Sequence, residues 1–303
     1  DFYYTERTDS EDSHTTAPWG EYADTINAVF VSDSVENVGA YSFYSCTNVS
    51  SVSLSDRSIT DIGDYAFAGC VSLPNIILPS RLRHIGQFAF AISGLTEINI
   101  PDSVRTVDQA AFAICPNLKK FTLGNGLTEI SDAVFGVTAL ETAVIPEGIT
   151  RIGVASFSTC KNMTSVQIPA SVRSIDKGAF EECPALTDVY YNGTSNMWKN
   201  ISIASDNPQL NVATIHCTDG TITGTSVATY AVREASVIDS LLAEAPDALT
   251  LSPKLPADSI PVFEENNISI STSSSTGNDH SFAASFSDLT PGVSYAVIVS
   301  RSE

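Results

Sequence analysis

The sequence predicts a repeat solenoid, a right-handed superhelix of short strands and turns, followed by a small β-rich module. Two observations predict it. A small residue followed by phenylalanine recurs every 22 to 24 residues, and the other apolar positions of each unit keep the same phase. A period of this length is typical of stacked repeats, in which a unit buries its apolar face only against its neighbours. The repeat phenylalanines are Phe43, Phe67, Phe90, Phe112, Phe135, Phe157 and Phe180.

Each unit also predicts one short strand ahead of its phenylalanine. Three apolar positions at i, i+3 and i+5 precede a turn that often contains proline, as in Leu95, Ile98 and Ile100 before Pro101. The last two of the three alternate, as strand residues do when they point to one face. Proline can end the strand because it has no N–H to donate to a ladder. The same pattern predicts a strand in the third unit, with Leu73, Ile76 and Leu78 pointing inward.

One complete unit, LTEINIPDSVRTVDQAAFAIC from Leu95 to Cys115, resembles the BspA-type leucine-rich repeat. Residues 17–26 look like the N-terminal cap segment of that family, and residues 190–220 look like its closing segment. The resemblance covers roughly residues 17–220. It implies a leucine-rich-repeat solenoid on a surface or secreted protein, often of host-associated bacteria, that serves adhesion or partner binding. It implies no catalytic residues.

The chain is expected to divide into three parts. Residues 1–24 form an acidic N-terminal cap segment, residues 25–220 hold the repeats with their C-terminal cap, and residues 221–303 form the β-rich module. The run from Leu289 to Tyr295 is similar to the corner before a late strand of fibronectin type III sandwiches, in which a tyrosine hydroxyl fixes the corner. An Ig-like module is therefore expected after residue 220, although residues 241–248 favour a short helix.

The cysteines follow the repeat. Five of the six lie three residues after a repeat phenylalanine, in a slot that Ser93 and Thr138 hold in other units. The slot therefore predicts a small, buried, semi-polar side chain. A disulfide framework is the alternative, because cysteines on adjacent coils would have Cα atoms about 5 Å apart. Parallel side chains are poorly aimed for a bridge, however, and we expect free thiols. The five are Cys46, Cys70, Cys115, Cys160 and Cys183.

The strand residues that alternate with the inward positions form a candidate binding face. Most of them are small and polar, which suits a broad contact with a protein or glycan better than a small-molecule pocket. A merely solvated face is the alternative. The candidate binding residues on this face are Phe30, Ile77, Asn99, Lys120, Gln167 and Tyr190.

Aromatic residues mark two further features. Tyr41, Tyr65 and Phe88 lie two residues before the phenylalanine of three consecutive units. If exposed, these rings would form a platform for a sugar or for an apolar side chain of a partner. Packing against the turn is the interpretation that we favour. Trp19 and Trp198 lie at opposite ends of the array and are expected to cover its terminal coils.

Composition and motifs exclude several function classes. The net charge is −20, from 35 acidic and 15 basic residues, so polyanions such as nucleic acids are repelled. No apolar run approaches the roughly 20 residues of a transmembrane helix. The four histidines are scattered and belong to no catalytic motif, and there is no Cys-x-x-Cys pair. No catalytic residue, cofactor or metal site is expected.

The sequence thus predicts a monomeric, non-catalytic bacterial protein, extracellular or on the cell surface. It would adhere to a host or matrix protein or to a glycan through its extended solenoid surface. A structural spacer that displays the C-terminal module is the alternative. An accessory subunit of a glycan-processing system is a more remote one.

Overall fold

A computed structural model describes Ala17, residues 19–223 and three later strands. Between residues 19 and 223 the chain winds through successive coils, and the strands of neighbouring coils pair in parallel. The predicted leucine-rich-repeat solenoid is confirmed. Coil 1 carries Phe43, coil 7 carries Phe180, and coil 8 closes the array.

After a 3-10 helix at Gly20–Tyr22, the elements follow in chain order. The strands of the coils are β1 (Ala28–Val31), β2 (Asn37–Val38), β3 (Ser51–Leu54), β4 (Asp61–Ile62), β5 (His84–Ile85), β6 (Glu97–Ile100), β7 (Thr106–Val107), β8 (Lys120–Leu123), β9 (Glu129–Ile130), β10 (Thr142–Val144), β11 (Arg151–Ile152), β12 (Ser165–Ile168), β13 (Ser174–Ile175) and β14 (Asp188–Tyr191). The closing elements are α1 (Ser195–Trp198), β15 (Ser202–Ile203), α2 (Pro208–Val212), β16 (Thr214–Cys217) and β17 (Gly220–Thr223). The later strands are β18 (Ile268–Ser271), β19 (Ala283–Phe286) and β20 (Tyr295–Ile298).

The longer strands form one face of the solenoid. Strand β1 pairs with β3, and β6 pairs with β8. Strands β10, β12, β14 and β16 pair in succession, and β17 folds back antiparallel onto β16. Alternate residues of these strands point into the core, as the period-2 pattern predicts: Ile98 and Ile100 of β6 are buried while Glu97 and Asn99 are exposed.

The third coil departs from the predicted pattern. Residues 74–78 have no strand assignment, although Leu73, Ile76 and Leu78 are buried as expected. Pro74 lies at the start of this segment and cannot donate an N–H to the ladder. Its carbonyl still accepts the N–H of Thr96 in the next coil at 2.9 Å. The inward pattern therefore predicts burial in coil 3 correctly but not strand pairing.

The two-residue strands form a second set of ladders. Strands β2, β4, β5 and β7 pair in one sheet, and β9, β11, β13 and β15 pair in another. Among the described residues no pairing joins β7 to β9, so this ladder is interrupted between coils 4 and 5. Both strand ladders are therefore discontinuous.

The repeat phenylalanines form a column through the core. Their ring centroids are 5.2 to 5.8 Å apart from coil to coil, and each ring is nearly parallel to the next. All seven side chains are fully buried. The aliphatic residues of the strands pack around the column, so one continuous core runs along the array. Each coil contributes one layer, which is why the coils depend on one another for burial.

Among the described residues, the turns around the phenylalanines carry a hydrogen-bond ladder that, unlike the strand ladders, runs unbroken from coil 1 to coil 7. In coil 4 the N–H groups of Ala110, Phe112 and Ile114 bond to carbonyls of coil 5 at 2.8 to 3.0 Å. Three bonds of this kind occur at each of the junctions between coils 1 and 7. They require an unusual backbone, in which the residues two before and two after the phenylalanine have positive φ, 56° at Ala110 and 54° at Ile114. A left-handed non-glycine residue costs about 1–2 kcal/mol, which the bonds and the burial offset.

Trp19 caps the first described coil by supplying groups that a preceding coil supplies elsewhere in the array. Its ring stacks on Phe43 with centroids 5.6 Å apart. Its Nε1 donates to the carbonyl of Ser42 at 2.6 Å. In later coils the equivalent carbonyl, such as that of Ala66, accepts the N–H of the preceding phenylalanine. Trp19 thus supplies both a ring and an N–H donor at the open end of the column.

Asn207 caps the other end of the turn ladder. Its Oδ1 accepts the N–H of Phe180 at 2.9 Å, in place of the carbonyl of a further coil. Its Nδ2 donates to the carbonyls of Asp176, Ala204 and Ser205. Trp198, the predicted cap, is buried but packs edge-on against Tyr191 at 5.3 Å. Asn207 is not predictable from the sequence, because a single asparagine in a closing segment has no repeat signal.

The region after residue 223 is described only in part. Strands β18 and β19 pair antiparallel, and β20 pairs in parallel with β1. The expected corner at residues 289–294 and the expected helix at residues 241–248 lie outside the described residues, and so does most of the acidic segment 1–24. The Ig-like module stays a prediction.

Candidate binding face

The cysteines belong to the fold. All six are free thiols, as expected, and the five repeat cysteines are buried. The Sγ of Cys115 donates to the carbonyl of Phe90 in the preceding coil at 3.3 Å, and Cys160 bonds in the same way to Phe135. Ser93 and Thr138 hold the same slot and contact the thiols of the next coil. The slot therefore needs a small side chain that can donate, which explains its semi-polar composition.

Thiol labelling checks this assignment. Burial raises the pKa of Cys115 to about 11, and it raises the pKa of the other buried thiols as well. Cys217 alone is half-exposed. We expect Ellman's reagent at pH 8 to modify one thiol per native chain and all six after unfolding, because the thiolate is the reactive form. Cys217→Ser should remove the native reaction. Any fast-reacting thiol in that variant, or more than one in the parent chain, would contradict the assignment.

The three-ring column is real but lies largely inside the protein. Tyr41, Tyr65 and Phe88 stack with centroids 4.8 and 5.0 Å apart. Tyr65 and Phe88 are buried, and only Tyr41 is half-exposed. These rings occupy the left-handed positions of the turn and form a second, smaller core with Tyr44 and the alanines of later coils. They are therefore packing residues, and an exposed platform at Tyr65 and Phe88 was the wrong alternative.

The outward residues of the longer strands do reach solvent along the solenoid. Ile77, Val144 and Tyr190 are large hydrophobic residues with exposed fractions of 86%, 58% and 46%. Asn99 and Lys120 are exposed between them, while Phe30 and Gln167 are half-buried. We call this surface the strand face. It comprises the outward residues of β1, β3, residues 74–78, β6, β8, β10, β12, β14 and β16.

The strand face is best organised around Tyr190. The Tyr190 ring stacks on the imidazole of His216 in the next strand, with centroids 4.7 Å apart and planes 13° apart. His216 Nε2 lies 2.7 Å from Asp188 Oδ1. The bonds from His216 and from Thr187 lower the pKa of Asp188. The sequence places Asp188 and Tyr190 on the outward side of one strand, but it does not predict His216 as their partner, because the three residues come together only when β14 and β16 pair.

A charged row lies along the two-residue strands. Arg151 bonds to Asp132 at 2.6 Å and to Asp176 at 2.7 Å, and a weaker contact reaches Glu129. His84 lies 2.8 Å from Asp108. These pairs link neighbouring coils. Among the described residues no group of three or more His, Cys, Asp or Glu side chains has a metal-binding arrangement. No helix in the described part of the chain is long and apolar enough to span a membrane.

Stacked parallel coils, a phenylalanine column and an exposed strand face define a solenoid of the leucine-rich-repeat class. The chain belongs to the family described as BspA type Leucine rich repeat region, whose sequence model matches residues 21–138 and 89–208 with six copies.

Several solved structures are similar. A leucine-rich repeat protein from Bacteroides ovatus is 20% identical, with 63% of this chain and 62% of that chain covered and a TM-score of 0.38. A leucine rich cell surface protein from Faecalibacterium prausnitzii is 19% identical, with 61% and 84% covered and a TM-score of 0.31. A leucine-rich repeat protein from T. pallidum is 26% identical, with 59% and 73% covered and a TM-score of 0.42. The chain thus spans less than two thirds of the Bacteroides ovatus protein. No curated protein matches the sequence.

Proposed function

We propose that the chain is a non-catalytic binding scaffold, extracellular or on a bacterial surface, and that its strand face engages a protein or glycan. One observation carries the proposal. Three large hydrophobic side chains, Ile77, Val144 and Tyr190, lie in solvent on the same face of a stacked array. Large apolar side chains exposed along one face of a rigid array can serve as separate anchor points for a partner.

Family membership supports the same class of function. Leucine-rich repeat proteins are typically non-catalytic, and the BspA-type resemblance implies surface display. The stacked phenylalanine column and the turn ladder hold the strand face in a fixed shape. A preorganised surface loses little conformational entropy on binding, so many modest contacts can add up to useful affinity.

A binding assay with the full chain tests the proposal. The immobilised probes are fibronectin, laminin, collagen and a panel of host-type oligosaccharides. We expect the parent chain to bind at least one probe. The double variant Ile77→Arg/Val144→Arg should bind that probe at least about tenfold more weakly, because charges then replace the apolar contacts.

Matched controls come from exposed hydrophobic residues off the strand face. Ile203 in β15 and Val212 in α2 are also exposed, and Ile203→Arg and Val212→Arg should leave binding unchanged. All these changes are at the surface, so folding stability should shift by no more than about 0.5 kcal/mol. Absence of binding to every probe, or equal loss in the controls, would refute the strand-face proposal and favour the spacer.

A further inference from the structure

The C-terminal end of the strand face carries a cluster that differs from the rest of it. We call this cluster the Tyr190 patch; it comprises Gln167, Asp188, Tyr190, Asn192 and His216. We propose that the Tyr190 patch binds a neutral saccharide. This inference rests on the proposed function, because it names the class of ligand that one part of the strand face takes.

The ring of Tyr190 is held in place before any ligand arrives. One of its faces is stacked on His216, and Asp188 fixes His216 through the bond of 2.7 Å. Thr187 Oγ1 in turn donates to Asp188 Oδ2 at 2.8 Å. The ring, the imidazole and the carboxylate therefore form one connected unit. A saccharide that contacts it does not have to immobilise a free side chain, which lowers the entropic cost of binding.

The second face of the Tyr190 ring is turned toward the preceding coil. His216 belongs to β16 on one side of β14, so the opposite ring face lies on the side of β12 and Gln167. Gln167 does not extend straight outward: its Nε2 donates to Oδ1 of Asn192 at 3.3 Å. This hydrogen bond holds the Gln167 amide near Asn192, the residue that follows β14. An aromatic surface and a pair of amides thus lie side by side.

The patch keeps polar atoms available on several sides of the ring. Gln167 Oε1, Asn192 Nδ2, Tyr190 Oη and His216 Nδ1 have no hydrogen-bond partner among the described residues. An amide oxygen accepts, an amide nitrogen donates, and a hydroxyl does both. Sugars need this mixture, because each hydroxyl donates and accepts while the C–H face of the ring packs on an apolar surface.

Charge and surroundings favour a neutral saccharide over other ligands. The net charge of −20 and the carboxylate of Asp188 oppose an anionic ligand. The outward residues on either side of Tyr190, Gln167 in β12 and His216 in β16, are polar, so Tyr190 lacks the apolar surround that excludes water from a protein–protein hot spot. One exposed ring among amides and hydroxyls matches the size of a single sugar residue.

A glycan array tests the proposal with the full chain. The array carries neutral galactose-, glucose-, mannose- and N-acetylhexosamine-terminated oligosaccharides beside sialylated and sulfated forms. We expect neutral glycans to be bound in preference. With the best of them in calorimetry, Tyr190→Ala should weaken binding by at least about tenfold, while Tyr190→Phe, which keeps the ring, should stay within about threefold.

Ile203→Ala is the matched control, because Ile203 is also an exposed hydrophobic residue but lies in β15, off the strand face. It should leave saccharide affinity unchanged. An array without a bound neutral glycan, or a Tyr190→Ala chain that binds as the parent does, would overturn the proposal. In that case, loss of protein capture in Ile77→Arg/Val144→Arg would still support the strand face as a binding surface. The two proposals therefore fail separately.

Discussion

Replacing Phe112 by alanine should lower the free energy of unfolding by about 3–5 kcal/mol. The ring is fully buried, with centroids 5.4 Å from Phe90 and 5.8 Å from Phe135. Its removal opens a cavity in the middle of the column, and neighbouring coils cannot close the gap because the turn ladder fixes their separation. Urea denaturation followed by circular dichroism measures the effect.

Ile77→Ala is the control for this experiment. Ile77 is 86% exposed, so its truncation should change the free energy of unfolding by less than about 0.5 kcal/mol. A loss below about 1 kcal/mol for Phe112→Ala would show that the column contributes little. Because stability in stacked repeats depends on neighbouring interfaces, the Phe112 variant should also broaden the transition.

Asn207→Ala should lower the free energy of unfolding by about 2–4 kcal/mol. The change removes the acceptor for the Phe180 N–H and the donor to the carbonyls of Asp176, Ala204 and Ser205. Phe180 is buried, so its N–H would be left without a partner and away from water. Hydrogen exchange should show faster exchange at Phe180 than in the parent chain.

Asn200→Ala serves as the matched substitution. Asn200 is exposed, and its side chain makes a local bond to the carbonyl of Asn196. Stability should therefore change by no more than about 0.5 kcal/mol. Equal effects at Asn200 and Asn207, or unaltered exchange at Phe180, would contradict a capping role for Asn207.

Much of the solenoid follows from the sequence because its signals repeat. A phenylalanine every 22 to 24 residues predicts the column, and the alternating apolar residues predict which strand residues are buried. The recurring cysteine slot predicts buried, unpaired thiols. Because the pattern occurs in seven copies, a local exception in one copy does not obscure the prediction for the whole array.

The turn backbone could not be predicted in this way. Left-handed residues are usually glycine, yet Tyr65, Phe88, Ala110 and Ile114 all have positive φ here. Their conformation is imposed by the coil-to-coil hydrogen bonds, which no local propensity encodes. The buried state of Tyr65 and Phe88 follows from that geometry, and this is why an exposed platform was compatible with the sequence but not with the structure.

The candidate site also combines residues that the sequence predicts with contacts that it does not predict. Tyr190 was recognisable from its outward place in a strand, and so were Ile77 and Lys120. The bond between Asp188 and His216 spans 28 residues of sequence and arises from the pairing of β14 with β16. The tie between Gln167 and Asn192 also crosses from one coil to the next. Contacts between coils depend on how the strands of neighbouring coils are aligned. The outward position of a residue in its own strand does not specify that alignment.

The way in which Trp19 and Asn207 close the array bears on how such proteins can change length. Each mimics a neighbour with atoms that any interior coil would supply, a ring and donor at one end and an acceptor at the other. Neither cap depends on how many coils lie between them. Duplication or loss of a whole repeat unit in the gene would therefore leave both caps intact. The solenoid would become longer or shorter by one coil at a time.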